Sequence, residues 1–253
     1  MRTVSRIAIT PVKGFALSHP SEVELTERGV IENRRFFLVD GDGRRLRSSL
    51  TDWPCRVRGV YDAAAEALRM RFPDGHEVAG DALDLGEEVV CEFSGDIVAT
   101  ARVVLGPWGQ PLSELAGHSV RVARTSQPGD LYAHTASLVS EASVDRLARE
   151  AGTVVDERRF RLLLTLSGCQ PHEEDDWEGS SVRVGEAAVQ VDGPVARCAA
   201  TTRHPDSGER DLDTLGLIRR YRGQAADGAI CFGMLASVMR PGLVRVGDPV
   251  GPE

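Results

Sequence analysis

The sequence predicts an α+β protein that is mostly β, with a barrel-like core and only a few helices. Three observations carry this. Short runs of alternating apolar and polar residues recur along the whole chain. Gly, Pro, Asp and Asn turns separate them at short intervals. Helical periodicity is confined to a few segments, all in the second half.

Taken in order, residues 4–9 alternate and stop at Pro11, and Lys13-Gly14 makes a turn. Residues 23–25 lead into the turn Thr26-Glu27-Arg28-Gly29, and 35–39 form a strand closed by Asp40-Gly41-Asp42-Gly43, a hairpin signal. Residues 68–72, 89–93 and 97–104 continue the antiparallel pattern. Gly and Pro cluster at 106–111, which predicts a boundary between a smaller antiparallel-sheet domain over 1–105 and a second domain over 112–253. Past it come a short helix over 112–116, a strand over 120–123, a loop at 127–130 and a helix over 140–151. That helix has acidic residues early, Arg149 late and Gly152 after its end. Residues 161–166 read as a buried strand, 182–184 and 187–191 as a hairpin, 212–221 as a helix, and 230–239 and 243–246 as strands.

An apolar content of 42% gives an ordinary soluble core, and a net charge of −8 argues against general binding to nucleic acid or anionic membranes. No secretory signal and no bilayer-length apolar run is visible, which points to the cytoplasm. Five widely spaced cysteines without a C-x-x-C pair do not describe a disulfide framework or a structural zinc site. The six histidines lack paired ligand spacing, and no nucleophile elbow, Walker A or G-x-G-x-x-G signature occurs at a strand-to-helix junction. The acidic run Glu173 to Asp176 reads as a solvated loop, because consecutive carboxylates cannot all converge on one ion.

Two residue groups remain as candidate chemistry. Lys13 is the lone lysine among 30 basic residues, a compact point charge where every other cation is an arginine fork. Arginines also gather at Arg34-Arg35 and at Arg158, Arg159 and Arg161, where they form either a solvated rim or an anion pocket. In a strand, Arg159 and Arg161 would share a face opposite Phe160. The second group is Cys198, either a small buried apolar residue or a reactive thiolate. In a regular strand Arg197 points away from it, so a cationic setting for the thiol must come from elsewhere, for example Lys13, Arg34 or Arg161.

These pieces fall in an order that resembles the MOSC proteins, named for the carboxy-terminal domain of molybdenum-cofactor sulfurase, and most closely the amidoxime-reducing component. The matching residues are Pro11-Val12-Lys13, Gly29, Asn33-Arg34-Arg35-Phe36, Asp40, Gly43, Ser140-Glu141-Ala142-Ser143 and Arg159-Phe160-Arg161. They continue through Asp175-Asp176-Trp177, Arg197-Cys198, Thr201-Thr202, Pro205-Asp206-Ser207-Gly208, Pro241-Gly242 and Val246-Gly247-Asp248-Pro249-Val250. The resemblance implies a MOSC β-barrel preceded by a smaller β domain, and a molybdenum cofactor whose metal is held by Cys198, the catalytic position. It implies that Lys13, Arg34, Arg161 and Thr135 hold the pterin and phosphate. The implied reaction is reduction of N-hydroxylated or N-oxide small molecules with electrons from a separate protein, and no pyridoxal phosphate is expected. A sulfur or cofactor carrier acting through Cys198 and a cofactor-free small-anion module are the alternatives. The sequence departs from the pattern at Gly14, Asn33, Leu163 and Ala196, where neutral polar contacts are thinned while the cations and the thiol stay. Weaker binding, a different cofactor form and no cofactor at all are left open by these departures.

Overall fold

The computed structural model describes residues 1–47, 50–93 and 97–253. The strands of the first half are β1 (Thr3–Ile7), β2 (Glu22–Leu25), β3 (Phe36–Asp40), β4 (Arg58–Asp62), β5 (Ala67–Arg71), β6 (Glu77–Asp81), β7 (Leu85–Glu92) and β8 (Val98–Val104). Helix α1 (Gly109–Ala116) precedes β9 (Val120–Thr125) and β10 (Ala136–Ser140), and α2 (Glu141–Ala151) precedes β11 (Leu164–Ser167), β12 (Ser181–Val184) and β13 (Ala187–Ala196). Helix α3 (Thr214–Arg222), β14 (Cys231–Arg240), β15 (Gly242–Arg245) and β16 (Val250–Pro252) complete the chain.

Seven strands form the main sheet in the order β1-β11-β10-β14-β13-β12-β16. A bridge between Thr3 and Pro249, with Val4 N–H on Asp248 O at 2.9 Å, brings the two edges together, so the sheet is nearly a closed barrel. Closure removes exposed edges and encloses a core of Val4, Ile7, Leu138, Leu164, Val189 and Met234. A second sheet, β3-β9-β8-β7, and a three-stranded sheet, β4-β5-β6, make the other lobe. Strand β3 is buried on both faces, which explains its unbroken apolar run. Phe36 and Leu38 enter one core with Trp53 and Trp108, while Phe37 and Val39 enter another with Phe93. Pairing of β1 with β11 and of β2 with β15 knits the amino-terminal residues into the second half. Among the described residues no helix is long and apolar enough to cross a membrane.

Helix α2 starts and stops where its sequence signals lie. Ser140 caps it through the Ser143 amide at 3.1 Å, and Gly152 ends it at φ 65°. Two expectations are corrected. The strand expected over 161–166 begins only at Leu164, because residues Glu157–Phe160 form a 3-10 turn closed by Arg161 at φ 53°. Arg159 and Arg161 therefore do not share a strand face. The acidic run is not a solvated loop. It is a 3-10 turn over Glu173–Trp177 with Glu174 fully buried, accepting from Ser140 N–H at 3.1 Å and Ser143 Oγ–H at 2.6 Å. Glu173 pairs with Arg2, and Asp175 with Arg222 at 2.6 Å.

Glu174→Ala strands these buried donors and is expected to cost about 2–3 kcal/mol in denaturant unfolding, with Glu174→Gln costing clearly less because its amide oxygen still accepts. Equal losses in the two variants would contradict the assigned role.

Candidate functional site

The site forms where the turn at 10–15, the entry to β3, the 3-10 turn before β11 and the end of β13 meet. Residues 11–13 make a short parallel bridge with Phe36: Phe36 N–H donates to Pro11 O at 2.9 Å and Lys13 N–H to Phe36 O at 2.8 Å. That bridge fixes Lys13 beside Arg34, whose own amide donates to Thr10 O at 2.6 Å. Arg34 stands at φ 54° and Arg161 at φ 53°, a region uncommon for non-glycine residues and costing roughly 1–3 kcal/mol each. The two strained residues are tied together, since the Arg34 guanidinium donates to Arg161 O at 2.6 Å and that of Arg161 to Phe15 O at 2.6 Å.

Two further residues complete the cluster, and neither was expected there. Tyr132, from the loop between β9 and β10, accepts a hydrogen bond from Lys13 Nζ. Its ring centroid lies 4.2 Å from that ammonium and 5.1 Å from the Arg34 guanidinium. Gly129 shapes this loop: it sits at φ 82°, and a Cβ there would lie 2.8 Å from Arg28 O. The only signal in the sequence is an aromatic residue just after the Pro128-Gly129-Asp130 turn. Arg197 lies past the end of β13, its guanidinium donating to Phe160 O and stacking 5.4 Å over the Phe160 ring, with Nε buried and unpartnered.

Burial pushes Arg197 down to about 10, with Cys198 pulling upward and Arg34 pressing further down. Burial and Arg34 likewise push Arg161 down to about 10, and burial lowers Lys13. On Tyr132 burial acts upward, but Arg34, Lys13 and Arg161 outweigh it and bring the phenol to about 8. The hydrogen bonds of the four cationic groups go to a phenol and three backbone carbonyls. Among the described residues none pairs with an Asp or Glu. Neighbouring arginines behave differently: Arg158 pairs with Asp156 and Asp206, and Arg159 holds Asp211 at 2.8 and 2.7 Å.

Cys198 is exposed. It precedes a 3-10 turn over Ala199–Thr202, where its carbonyl accepts from Thr201 N–H at 3.1 Å and Thr201 Oγ–H at 3.0 Å. Because β13 ends at Ala196, strand parity does not apply to it. The Arg197 guanidinium turns instead to Phe160 O, one residue before the carbonyl that Arg34 holds, so it stands beside the cations that the sequence assigned to the thiol. The loop after Cys198 packs on the first half of the chain, where a Cβ on Gly208 would lie 1.8 Å from Asp52 O.

Lys13, Arg34 and Arg161 therefore come together, with Arg197 linking them to Cys198. Thr135 spends its oxygen elsewhere, accepting from Val238 N–H at 2.9 Å beside β14, and Arg35 turns away to Thr125 Oγ1 at 3.1 Å. At the departing positions Gly14 occupies φ 100°, Asn33 Oδ1 accepts from Thr10 N–H at 3.1 Å, Leu163 is buried in the barrel core and Ala196 pairs with Cys231. Asn33 thus performs a backbone task that an aspartate oxygen would also perform. His172, Glu174 and Asp175 bring possible metal-ligand atoms within 4.8 Å of one another, but Arg222 already bonds His172 Nδ1 and Asp175.

Fold and site together define a small barrel protein with a cluster of cations beside a residue run that ends in an exposed thiol. Residues 126–251 match the MOSC domain. Mitochondrial amidoxime-reducing component 1 of Xenopus laevis is 34% identical over 281 aligned residues, covering 98% of this chain and 81% of that protein. The molybdenum cofactor sulfurase of Drosophila grimshawi is 27% identical, covering 97% of this chain and 34% of that one. Among solved structures, the YUAD protein of Bacillus subtilis aligns with a TM-score of 0.44 at 13% identity, over 99% of this chain and 94% of that one. The chain belongs to the MOSC-domain family.

Of the five cysteines Cys198 is exposed, Cys55 and Cys231 half-buried, and Cys91 and Cys169 buried. Burial raises the thiols of Cys55, Cys91 and Cys231, and pushes Cys169 up to about 11. Limiting iodoacetamide at neutral pH is therefore expected to alkylate Cys198 on the order of tenfold faster than Cys91 or Cys169, read by peptide mass mapping. Comparable labelling of all five would refute this placement.

Proposed function

We propose that this chain is a molybdenum-cofactor-binding oxidoreductase that reduces N-hydroxylated or N-oxide small molecules with electrons from a separate protein. The observation that carries the reading is the group of Lys13, Arg34, Arg161 and Arg197, gathered without a carboxylate next to the exposed Cys198. Two unit charges about 5 Å apart repel by about 3 kcal/mol at an effective dielectric of about 20, so cations gathered without carboxylates favour an anion among them. An anionic ligand relieves that repulsion. The buried, unpartnered Arg197 Nε is a donor available to such a ligand.

The donor set fits the group. Lys13, Arg34 and Arg161 would hold its phosphate and pterin, Arg197 adds a fork beside them, and Cys198 would hold the metal as a soft thiolate ligand. The cofactor, when bound, supplies two-electron redox chemistry at molybdenum. The chain's own residues fix that group in place. The Lys13–Tyr132 contact holds a proton between an ammonium and a phenol that are both easier to deprotonate than usual. Relatives named as amidoxime-reducing components, aligned over nearly the whole chain, support the substrate class. A second reading has Cys198 carrying a persulfide or a cofactor in transit. The exposure of its thiol and the sulfurase relatives favour that reading.

Elemental analysis of protein made in a cofactor-competent host separates the two. Near-stoichiometric molybdenum that disappears in Cys198→Ala is the expected result. Cyanide-labile sulfur on Cys198 without molybdenum would transfer the assignment to the carrier. Absence of both would leave a cofactor-free module that binds a small anion.

A further inference from the structure

One ionisable group in the cluster is not among the residues that would hold the cofactor. Tyr132 is an acid set among cations. Lys13 Nζ donates to its oxygen and lies over its ring, Arg34 stacks on the same ring, and Arg161 acts on it from the 3-10 turn. Behind it Leu131 is buried with Phe37 and Phe93, and Arg45 stacks 4.5 Å over Phe93 from the β3 hairpin. The cations that act on Tyr132 from the packed elements are Lys13, Arg34, Arg161 and Arg45. Asp130, two residues earlier on the same loop, is taken by the Gln127 amide and by Arg28, so among the described residues Tyr132 is the acid bonded to these cations.

We propose that Tyr132 is a built-in counter-anion of the cleft. Its phenolate and the phosphate-like oxyanion of an incoming ligand compete for Lys13 and Arg34, so loading the ligand is coupled to uptake of one proton by the phenolate oxygen. The sign follows from the charges. A bound oxyanion raises the cost of a second negative charge beside the same cations, so it favours the protonated phenol. With the free phenol ionising at about 8, its own effect on ligand affinity is absent below that pH. Above it, affinity weakens toward about tenfold per pH unit until the phenol ionises in the complex as well. The inference rests on reading the cleft as an anion site, and it does not require molybdenum.

The test uses the cofactor-free 253-residue chain with inorganic phosphate as the probe. Burial pushes both Tyr61 and Tyr221 up to about 12, so a tyrosinate absorbance step near pH 8 belongs to Tyr132. The expected result is a one-tyrosine step that saturating phosphate moves upward by about a pH unit or more. Tyr132→Phe is expected to lose the step and to bind phosphate, in equilibrium dialysis, with a clearly smaller decline than the wild type just above about pH 8, before Lys13, Arg161 and Arg197 begin to lose charge in both proteins. Should phosphate bind while the step stays in place, the competition is wrong. Absence of any tyrosine step below pH 10 would overturn the counter-anion itself, and failure of phosphate to bind at any pH would overturn the anion-site reading beneath it. If Tyr132→Phe does not fold, the wild-type step with and without phosphate still decides.

Discussion

Four basic side chains gather at one place without an acidic partner among the described residues, and the local structure is arranged to keep them there. Several other arginines in this protein are matched to carboxylates, as Arg159 is to Asp211 and Arg222 to Asp175. In the cleft their hydrogen bonds go instead to backbone carbonyls and a phenol. A carbonyl orients a guanidinium without cancelling its charge, so the positive potential remains for something that enters. The phenol is the exception, since it can cancel one charge when ionised and release it when protonated.

Holding this arrangement needs pieces from distant parts of the chain. Arg34 and Arg161 both adopt left-handed backbone conformations and are joined by the Arg34 bond to Arg161 O. Strain of this kind persists only where surrounding structure over-determines it. Here the bridge of residues 11–13 to Phe36 and the pairing of β1 with β11 supply that surrounding structure. The first half of the chain thus contributes two cations to a cleft whose thiol comes from the second half.

The fold class was legible because alternation and turns report directly on half-buried strands. The helix signalled by Ser140, Arg149 and Gly152 appears nearly residue for residue. What the sequence hid were features set by tertiary contact. Glu174 looked like one more solvated acid, and only the buried end of β10 and the start of α2 make it a structural acceptor. Arg197 was set aside by strand parity, which fails where β13 gives way to a 3-10 turn. Tyr132 carries no motif, and its position follows from a loop conformation around Gly129 that local pattern does not reveal. Lys13, Arg34 and Arg161 were selected from the lone lysine and the arginine pairs together with the family resemblance. Without that resemblance, the arginine groups alone do not tell which member turns inward.

The central claim is that this cleft seats an anionic metal cofactor with its metal on Cys198. Anomalous diffraction at the molybdenum edge, from crystals of protein purified out of a cofactor-competent host, tests it most directly. The account predicts one strong peak beside Cys198 Sγ, with density for a phosphate reaching Lys13 and Arg34. A peak at another place in the molecule, or a metal-free cleft in protein that contains molybdenum, would contradict it.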